Sequence, residues 1–124
     1  MERVLIVEDS IEYAEALKNI LKFDYDVVIA TNLEEAKEKA NGNFGVFLVD
    51  IRLNESDPNN ADGLLFLKWA KHKFCEVPVI MMSAYREFEE QKDCIAQMGA
   101  ALFLKKPISI KDLKEGLRSV LRKT

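Results

Sequence analysis

The sequence predicts a single α/β domain with a doubly wound parallel sheet. Two features predict it: short apolar runs without alternation recur along the chain, and stretches of helical period separate them. Runs of this kind suit strands that are buried on both faces, as strands of parallel sheets are. Regular alternation with short links favours right-handed crossovers and helices on both faces. At 124 residues the chain fits one domain, so we expect residues 1–124 to form one unit.

The first half of the chain predicts three strands and two helices. The helices have apolar residues at intervals of three to four positions. Residues that favour helix caps precede them: Asp9 and Ser10 before the first helix, and Thr31 or Asn32 before the second. The predicted strands span residues 4–7, 26–31 and 46–49, and the predicted helices span residues 11–21 and 33–40.

The second half continues the alternation after a loop rich in Asn, Asp and Pro. Its first helix has a broad apolar surface, its second is weaker and is closed by Gly99, and its last has a clear apolar stripe. The predicted strands span residues 78–82 and 101–104, and the predicted helices span residues 63–74, 87–98 and 110–121. The chain therefore contains five predicted β/α units.

Composition excludes several classes of protein. The formal net charge is −3 with both signs mixed along the chain, so we expect no direct binding to nucleic acid or to an anionic membrane. No run approaches a membrane span, and the start of the chain lacks the basic flank and long apolar stretch of an export signal, which predicts a cytoplasmic protein. Cys75 and Cys94 lack metal or redox spacing and are expected to be buried free thiols. His72 is expected at the surface.

Polar residues that can carry chemistry follow four of the five predicted strands. Glu8 and Asp9 follow the first strand and Asp50 ends the third, while Ser83 follows the fourth and Lys106 the fifth. In parallel sheets of this kind, ligand sites lie just beyond the carboxyl ends of the strands. We therefore expect these five side chains to share one crevice.

The residue types in this crevice indicate phosphoryl chemistry. A cluster of carboxylates raises its own pKa values unless a cation neutralises it, and a hard divalent ion with oxygen ligands suits three acids. Two acids to hold a metal, one carboxylate free to attack, one hydroxyl and one ammonium form the set that a phosphoryl group on Asp requires. Mg²⁺ fits because it takes one or two carboxylates together with phosphate oxygens.

With these residues in place, the chain resembles a receiver domain of the two-component response regulators, from Val4 to the last helix. The resemblance implies a flavodoxin-like fold with strand order 2-1-3-4-5 and five helices. It implies that Asp50 accepts a phosphoryl group from a sensor histidine kinase or a histidine phosphotransfer protein. It also implies that Mg²⁺ is held by Asp9, Asp50 and the backbone carbonyl of Arg52, with Glu8 joined through water.

The same resemblance assigns the remaining site residues. Ser83 matches the hydroxyl that binds a phosphoryl oxygen, and Lys106 matches the family's lysine, whose peptide bond to Pro107 is usually cis. Phe103 matches the rotating aromatic. Phosphorylation would then reshape the surface of the fourth helix, fifth strand and last helix, which would contact a protein target, an output domain or a second copy of the chain. Lys105 is expected to be an ordinary surface charge.

The chain departs from the family pattern between the acceptor and the third helix. Residues 53–62 carry roughly five residues more than the usual link, and added loops of this kind are often functional. The insertion could cover the pocket or contact a partner. Arg52 and Tyr85 occupy two positions at the pocket rim that vary in the family, and their bulk predicts a longer-lived phosphoryl group.

Three alternatives remain open from the sequence. A Mg²⁺-dependent phosphohydrolase of the haloacid dehalogenase type would require an Asp-x-Asp pair, where this chain has Asp50, Ile51 and Arg52. A flavodoxin-like cofactor binder would require a phosphate loop where this chain has two acids. A receiver-like adaptor would bind partners without phosphorylation. On the main hypothesis the chain is a switch, catalysing only its own phosphorylation and dephosphorylation.

Overall fold

The structure is a computed structural model that describes residues 1–121. The predicted domain range extends to residue 124, and its last three residues lie outside the described residues. The strands are β1 (Arg3–Val7), β2 (Asp26–Ala30), β3 (Val46–Asp50), β4 (Val79–Ser83) and β5 (Leu102–Lys105). The helices are α1 (Ile11–Leu21), α2 (Leu33–Lys39), α3 (Asp62–Lys73), α4 (Arg86–Glu90), α5 (Lys92–Gln97) and α6 (Ile110–Leu121).

All five strands are parallel and form one sheet in the order β2-β1-β3-β4-β5. This order places β3 between β1 and β4, so the segments that follow these three strands meet at one edge of the sheet. The predicted doubly wound α/β fold is confirmed, strand order included.

Both faces of the central strands are buried, as the unalternating apolar runs predict. In β3, Phe47 and Val49 belong to one core cluster, and Val46 and Leu48 belong to the other. Buried residues of α1 and α6 line the second cluster, and those of the other four helices line the first. The sheet therefore lies between two helical layers, and its carboxyl edge is left for the site.

Each of the first two helices is capped by one of its two predicted capping residues, α1 by Ser10 and α2 by Asn32. The Ser10 hydroxyl accepts a hydrogen bond from the Tyr13 amide at 3.3 Å, and the Asn32 side chain accepts one from the Glu35 amide at 2.8 Å. Each bond satisfies an amide that has no partner within its helix. Asp9, on the other side of Ser10, is thereby left available to the site.

The single weak helix predicted over residues 87–98 is divided into α4 and α5 at Gln91, which has the turn-like angles φ −99° and ψ 11°. In α4 and α5 only Phe88 and Ile95 are buried. Short helices depend on packing rather than on propensity, and two buried side chains provide little of it. Gly99 closes the segment with a φ of +112°, as expected.

Two further expectations concern the surface. Both cysteines, Cys75 and Cys94, are free, but the structure exposes them, so the prediction that they are buried is wrong. Cys75 follows the end of α3 and Cys94 lies on the outer face of α5, where neither packs into a core cluster. His72 is exposed, as predicted. Among the described residues, no helix is long and apolar enough to cross a membrane.

Candidate functional site

The acidic side chains predicted to share a crevice do meet at the carboxyl edge of the sheet. Glu8 and Asp9 follow β1, Asp50 ends the adjacent strand β3, and one carboxylate oxygen from each lies within 4.8 Å of the others. Glu8 and Asp50 are buried, with residue exposures of 0% and 1%. Three carboxylates therefore share a small volume with little access to water.

Lys106 adds a positive charge to this cluster. It follows β5, the edge strand that β4 separates from β3. Its Nζ lies 2.6 Å from Oε1 of Glu8 and 3.4 Å from Oδ2 of Asp50. The Lys106 backbone amide donates a hydrogen bond to the Ser83 carbonyl, and the peptide bond to Pro107 is cis. The lysine therefore enters the pocket directly after β5 and makes its shorter contact with Glu8 rather than with Asp50.

Burial and mutual repulsion change the acid–base properties of the cluster. Desolvation by burial, followed by the nearby Glu8 charge, raises the pKa of Asp50 to about 8. Burial also raises the pKa of Glu8, although Lys106 opposes the shift. Burial alone would lower the pKa of Lys106, but the Asp50 and Glu8 carboxylates raise it. One ammonium does not compensate three carboxylates, which leaves the pocket suited to a further cation.

The free oxygen atoms of the cluster fit a hard divalent ion. Oδ1 of Asp9 and Oδ2 of Asp50 are buried and accept no hydrogen bond within the described structure. Both oxygens of Glu8 are already used, one by Lys106 and the other by the Ser10 amide. The donor set therefore suits direct binding of Mg²⁺ by Asp9 and Asp50, with Glu8 farther from the ion.

Ser83 and Phe103, the two predicted switch residues, lie on the two strands that follow β3 in the sheet. Asp50 pairs with Met82 across the sheet, and Ser83 is the next residue of β4. Ser83 is 1% exposed, and its hydroxyl oxygen accepts a hydrogen bond from the Tyr85 amide at 3.0 Å. Phe103 is half-buried in β5 and packs against the same core cluster as Tyr85. The segment after β4 thus connects the pocket to the β5 side of the sheet.

The Arg52 side chain makes its contacts outside the cluster of Glu8, Asp9 and Asp50, and it connects two loops. Its guanidinium lies 3.6 Å from the centre of the Tyr85 ring, and its Nη2 donates to Glu87 at 2.9 Å and to the Pro58 carbonyl at 3.0 Å. These contacts bury Arg52 to 6% exposure. A side chain at the end of β3 thereby holds the insertion and the segment that begins α4.

The insertion, residues 53–62, is folded back onto the pocket by its own polar groups. The Asn60 side chain accepts hydrogen bonds from the Leu53 amide at 2.9 Å and from the Asp62 amide at 3.0 Å. At its end, Gly63 allows a close approach, because a Cβ there would lie 2.1 Å from the Asp50 carbonyl oxygen. The insertion therefore begins and ends against the strand that carries Asp50.

Two residues of the site were missed by reasoning from sequence. The Tyr13 hydroxyl accepts a hydrogen bond from the Ile108 amide at 3.1 Å, and its ring centre lies 4.6 Å from Nζ of Lys106. Glu55 donates its amide to Oδ2 of Asp9 at 3.1 Å. An aromatic residue in the first turn after the acidic pair could have indicated Tyr13, whereas no local pattern distinguishes Glu55 from the other polar residues of the insertion.

The fold and the site together define a class of protein, a flavodoxin-like α/β domain with an acidic pocket and one lysine at the carboxyl edge of its sheet. The model of the response regulator receiver domain family matches residues 4–118. The chain therefore belongs to this family, as the resemblance of its motifs predicted, and its family function is two-component signalling.

Curated relatives agree with this assignment. The transcriptional regulatory protein CpxR homolog of Haemophilus influenzae is 30% identical over 125 residues, which cover 100% of this chain and 52% of the relative. A cyclic di-GMP phosphodiesterase of Thermotoga maritima is 33% identical over 120 residues, which cover 96% of this chain and 31% of that protein. The chain thus spans about half the length of the first relative and about a third of the second.

Solved structures share the whole fold. A CheY-like response regulator receiver domain protein from Methanospirillum hungatei JF-1 matches with a TM-score of 0.82 and 29% identity, covering 98% of this chain and 94% of the other. The non-phosphorylated HemR receiver domain from Leptospira biflexa matches with a TM-score of 0.81 and 28% identity, covering 100% and 97% of the two chains.

Proposed function

We propose that this receiver domain accepts a phosphoryl group on Asp50 from a phosphohistidine of a sensor histidine kinase or a histidine phosphotransfer protein. The observation that carries the proposal is the convergence of Asp9, Asp50 and Lys106. It combines a carboxylate oxygen that accepts no hydrogen bond, a second acid for a cation and an ammonium for the oxygens of the incoming group. Family membership supports the same reaction class.

The reaction is a transfer of the phosphoryl group between two nucleophiles. The bond from phosphorus to the imidazole nitrogen of the donor breaks as a bond forms from phosphorus to a carboxylate oxygen of Asp50. The imidazole leaves with the electron pair of the broken bond and takes up a proton. On this proposal, Lys106 and the Ser83 hydroxyl would donate hydrogen bonds to the phosphoryl oxygens, where negative charge is concentrated.

Mg²⁺ belongs to the proposal as the resident cation. Asp9, Asp50 and the backbone carbonyl of Arg52 would hold it, with Glu8 joined through water. The ion would neutralise the carboxylates and the phosphoryl oxygens. By lowering the repulsion in the cluster, it would also keep Asp50 ionised near neutral pH, although burial raises the pKa of that carboxyl to about 8.

We further propose that α4, α5, β5 and α6 form the output surface, which binds a protein target, an output domain or a second copy of the domain. The Tyr85 amide binds the Ser83 hydroxyl, so movement of Ser83 toward a phosphoryl group would disturb the segment leading into α4. Phe103 is half-buried on the neighbouring strand, and we propose that its packing changes on phosphorylation. The cytoplasmic location and the long phosphoryl lifetime stay predictions from the sequence.

The proposal is tested by measuring intact mass after incubation with acetyl phosphate and Mg²⁺ until the signal is constant. We expect the wild type to gain one phosphoryl group and Asp50→Asn to gain none. Asp57→Asn is the matched control, because it removes the charge of an exposed acid seven positions further along the chain. It should gain the group as the wild type does.

Two outcomes would count against the proposal. A phosphoryl group that persists in Asp50→Asn would identify a different acceptor. A wild type that gains no mass from acetyl phosphate or from a phosphorylated histidine phosphotransfer protein would favour the adaptor that works without phosphorylation.

A further inference from the structure

The insertion after β3 spans the mouth of the pocket. Its residue Glu55 makes two contacts: its amide donates to Asp9, and its carboxylate accepts a hydrogen bond from the Tyr85 hydroxyl. Asp9 follows β1 and Tyr85 follows β4, and the sheet order places β3 between those strands. A bridge from one loop to the other must therefore pass over the end of β3, where Asp50 lies.

The exposure of Asp50 agrees with this cover. Its side chain is 2% exposed, although a phosphoryl donor must approach one of its oxygens directly. The Lys106 side chain beside it is 12% exposed. In the conformation described here, the acceptor carboxylate is closed to a donor the size of an imidazole phosphate.

We propose that residues 53–62 are a lid that must open before Asp50 can react, and that the contact between Glu55 and Tyr85 is its latch. This inference rests on the proposed function, since it concerns the access of a phosphoryl donor to Asp50. The lid makes Glu55 and Tyr85 determinants of donor choice. A small donor must wait for spontaneous opening, whereas a protein donor can displace the lid by binding to it.

The strength of the latch suits an opening of this kind. Glu55 is exposed and Tyr85 is only half-buried, so water competes for both groups when the contact breaks. The base of the lid, at Arg52, is held more firmly than the latch. Arg52 is buried and contacts the Pro58 carbonyl, Glu87 and the Tyr85 ring. The lid is therefore expected to open at Glu55 while its base at Arg52 stays in place.

The sharpest variant is Tyr85→Phe, which removes the latching hydroxyl and leaves the ring on Arg52 and the net charge unchanged. The first readout is hydrogen exchange at the Glu55 amide, which needs no phosphorylation. We expect exchange to be about fivefold to tenfold faster than in the wild type, the factor that follows from losing one ordinary hydrogen bond between groups that water can reach.

The second readout is the initial rate of phosphorylation of Asp50 by acetyl phosphate. Tyr85→Phe and Glu55→Ala should both raise this rate about fivefold to tenfold, for the same reason. Asp57→Asn is the control for charge, because it also removes one acid from the insertion, and the Asp57 carboxylate accepts its hydrogen bond from the Asn59 amide rather than from Tyr85. Deletion of residues 54–58 should give the highest rate, and a thermal melt shows whether this variant folds.

The outcomes separate the lid from the proposed function. If Asp50 is phosphorylated but exchange at the Glu55 amide is unchanged in Tyr85→Phe, and the rate is unchanged in Tyr85→Phe, Glu55→Ala and the deletion, the lid is overturned and the phosphoacceptor role stands. A rate that rises equally in Glu55→Ala and Asp57→Asn but not in Tyr85→Phe also overturns the latch, because the loss of one negative charge would then explain the rise. If no variant is ever phosphorylated, the proposed function fails, and the lid fails with it as a gate for donors.

Discussion

The central strands and the β5 edge of this domain differ in how firmly they are packed. Every residue of β3 and β4 is buried, whereas no residue of β5 is fully buried. Two of the three helices on this side are also short: α4 and α5 have 5 and 6 residues, compared with 12 in α3 and in α6. The acceptor therefore lies on the firmest strands, and the proposed output surface lies on the loosest.

This difference has a physical reason. A site for phosphoryl transfer requires groups held within a fraction of an ångström, and strands packed on both faces provide such positions. A surface that must change shape needs segments of low local stability, because small free energies can then shift their populations. On the proposed function, one chain would satisfy both requirements by placing them on different strands of one sheet.

The largest expected effect compares two phenylalanines. Phe47→Ala in β3 should lower the free energy of unfolding by about 3–5 kcal/mol, because it leaves a cavity among packed aromatic rings. Phe103→Ala in β5 should lower it by about 1–2 kcal/mol, since that side chain is only half-buried. Urea denaturation measures both. Equal losses would contradict the difference in packing.

The next prediction concerns how protein stability depends on pH through the buried Asp50 carboxyl at the end of β3. Burial raises the pKa of Asp50 from its ordinary 3.8 to about 8, so the folded state binds more protons than the unfolded chain between these values. Stability should therefore fall as pH rises through this window. Glu8, whose pKa burial also raises, acts in the same direction. Lys106 adds nothing to this fall, because its raised pKa acts only above its ordinary 10.5.

The variant Asp50→Asn, measured in metal-free buffer, tests directly whether the Asp50 carboxyl causes this loss of stability at higher pH. It should stabilise the protein by about 1–3 kcal/mol at a pH of about 8.5, because it removes a poorly compensated buried charge, and by less at a pH of about 5. Thermal melts would show the gain as an increase of about 4 °C per kcal/mol. An equal gain at both pH values would show that the carboxyl does not titrate in this range.

The smallest expected effect is at the β5 edge. Lys105 lies 3.2 Å from Glu89, but the two side chains are 65% and 41% exposed. Lys105→Ala should change the free energy of unfolding by less than about 0.5 kcal/mol, since exposed ion pairs contribute little. Denaturation in urea checks the value. A loss above about 1 kcal/mol would mean that this edge is held more firmly than its burial indicates.

Much of the site followed from the sequence because short apolar runs without alternation, typical of strands buried on both faces, are a local signal. Four of the five apolar runs end at, or within two residues of, a predicted functional residue, so finding the runs also located Asp9, Asp50, Ser83 and Lys106 at the strand ends. The prediction that they share one edge needed only the parallel alternation of strands and helices. Their roles in catalysis and metal binding stay proposals.

Other features depended on contacts between residues far apart in the chain. The sequence contains nothing that sets Glu55 against Asp9, separated by 46 positions, or Lys106 against Glu8, separated by 98. The division of the weak helix at Gln91 and the exposure of the two cysteines were also missed. In each case, the outcome depends on what packs against the segment.

The sequence by itself determined the strands, the fold and the chemical groups at the carboxyl edge. Hydrophobic patterns and strand-terminal residues can be recognised in short stretches of sequence. Only the tertiary structure decided which carboxylate oxygens accept no hydrogen bond and which carboxylate lies nearer to Lys106. It also decided how the insertion lies over Asp50. Those outcomes follow from burial and hydrogen bonding among distant residues, which no short stretch of sequence specifies.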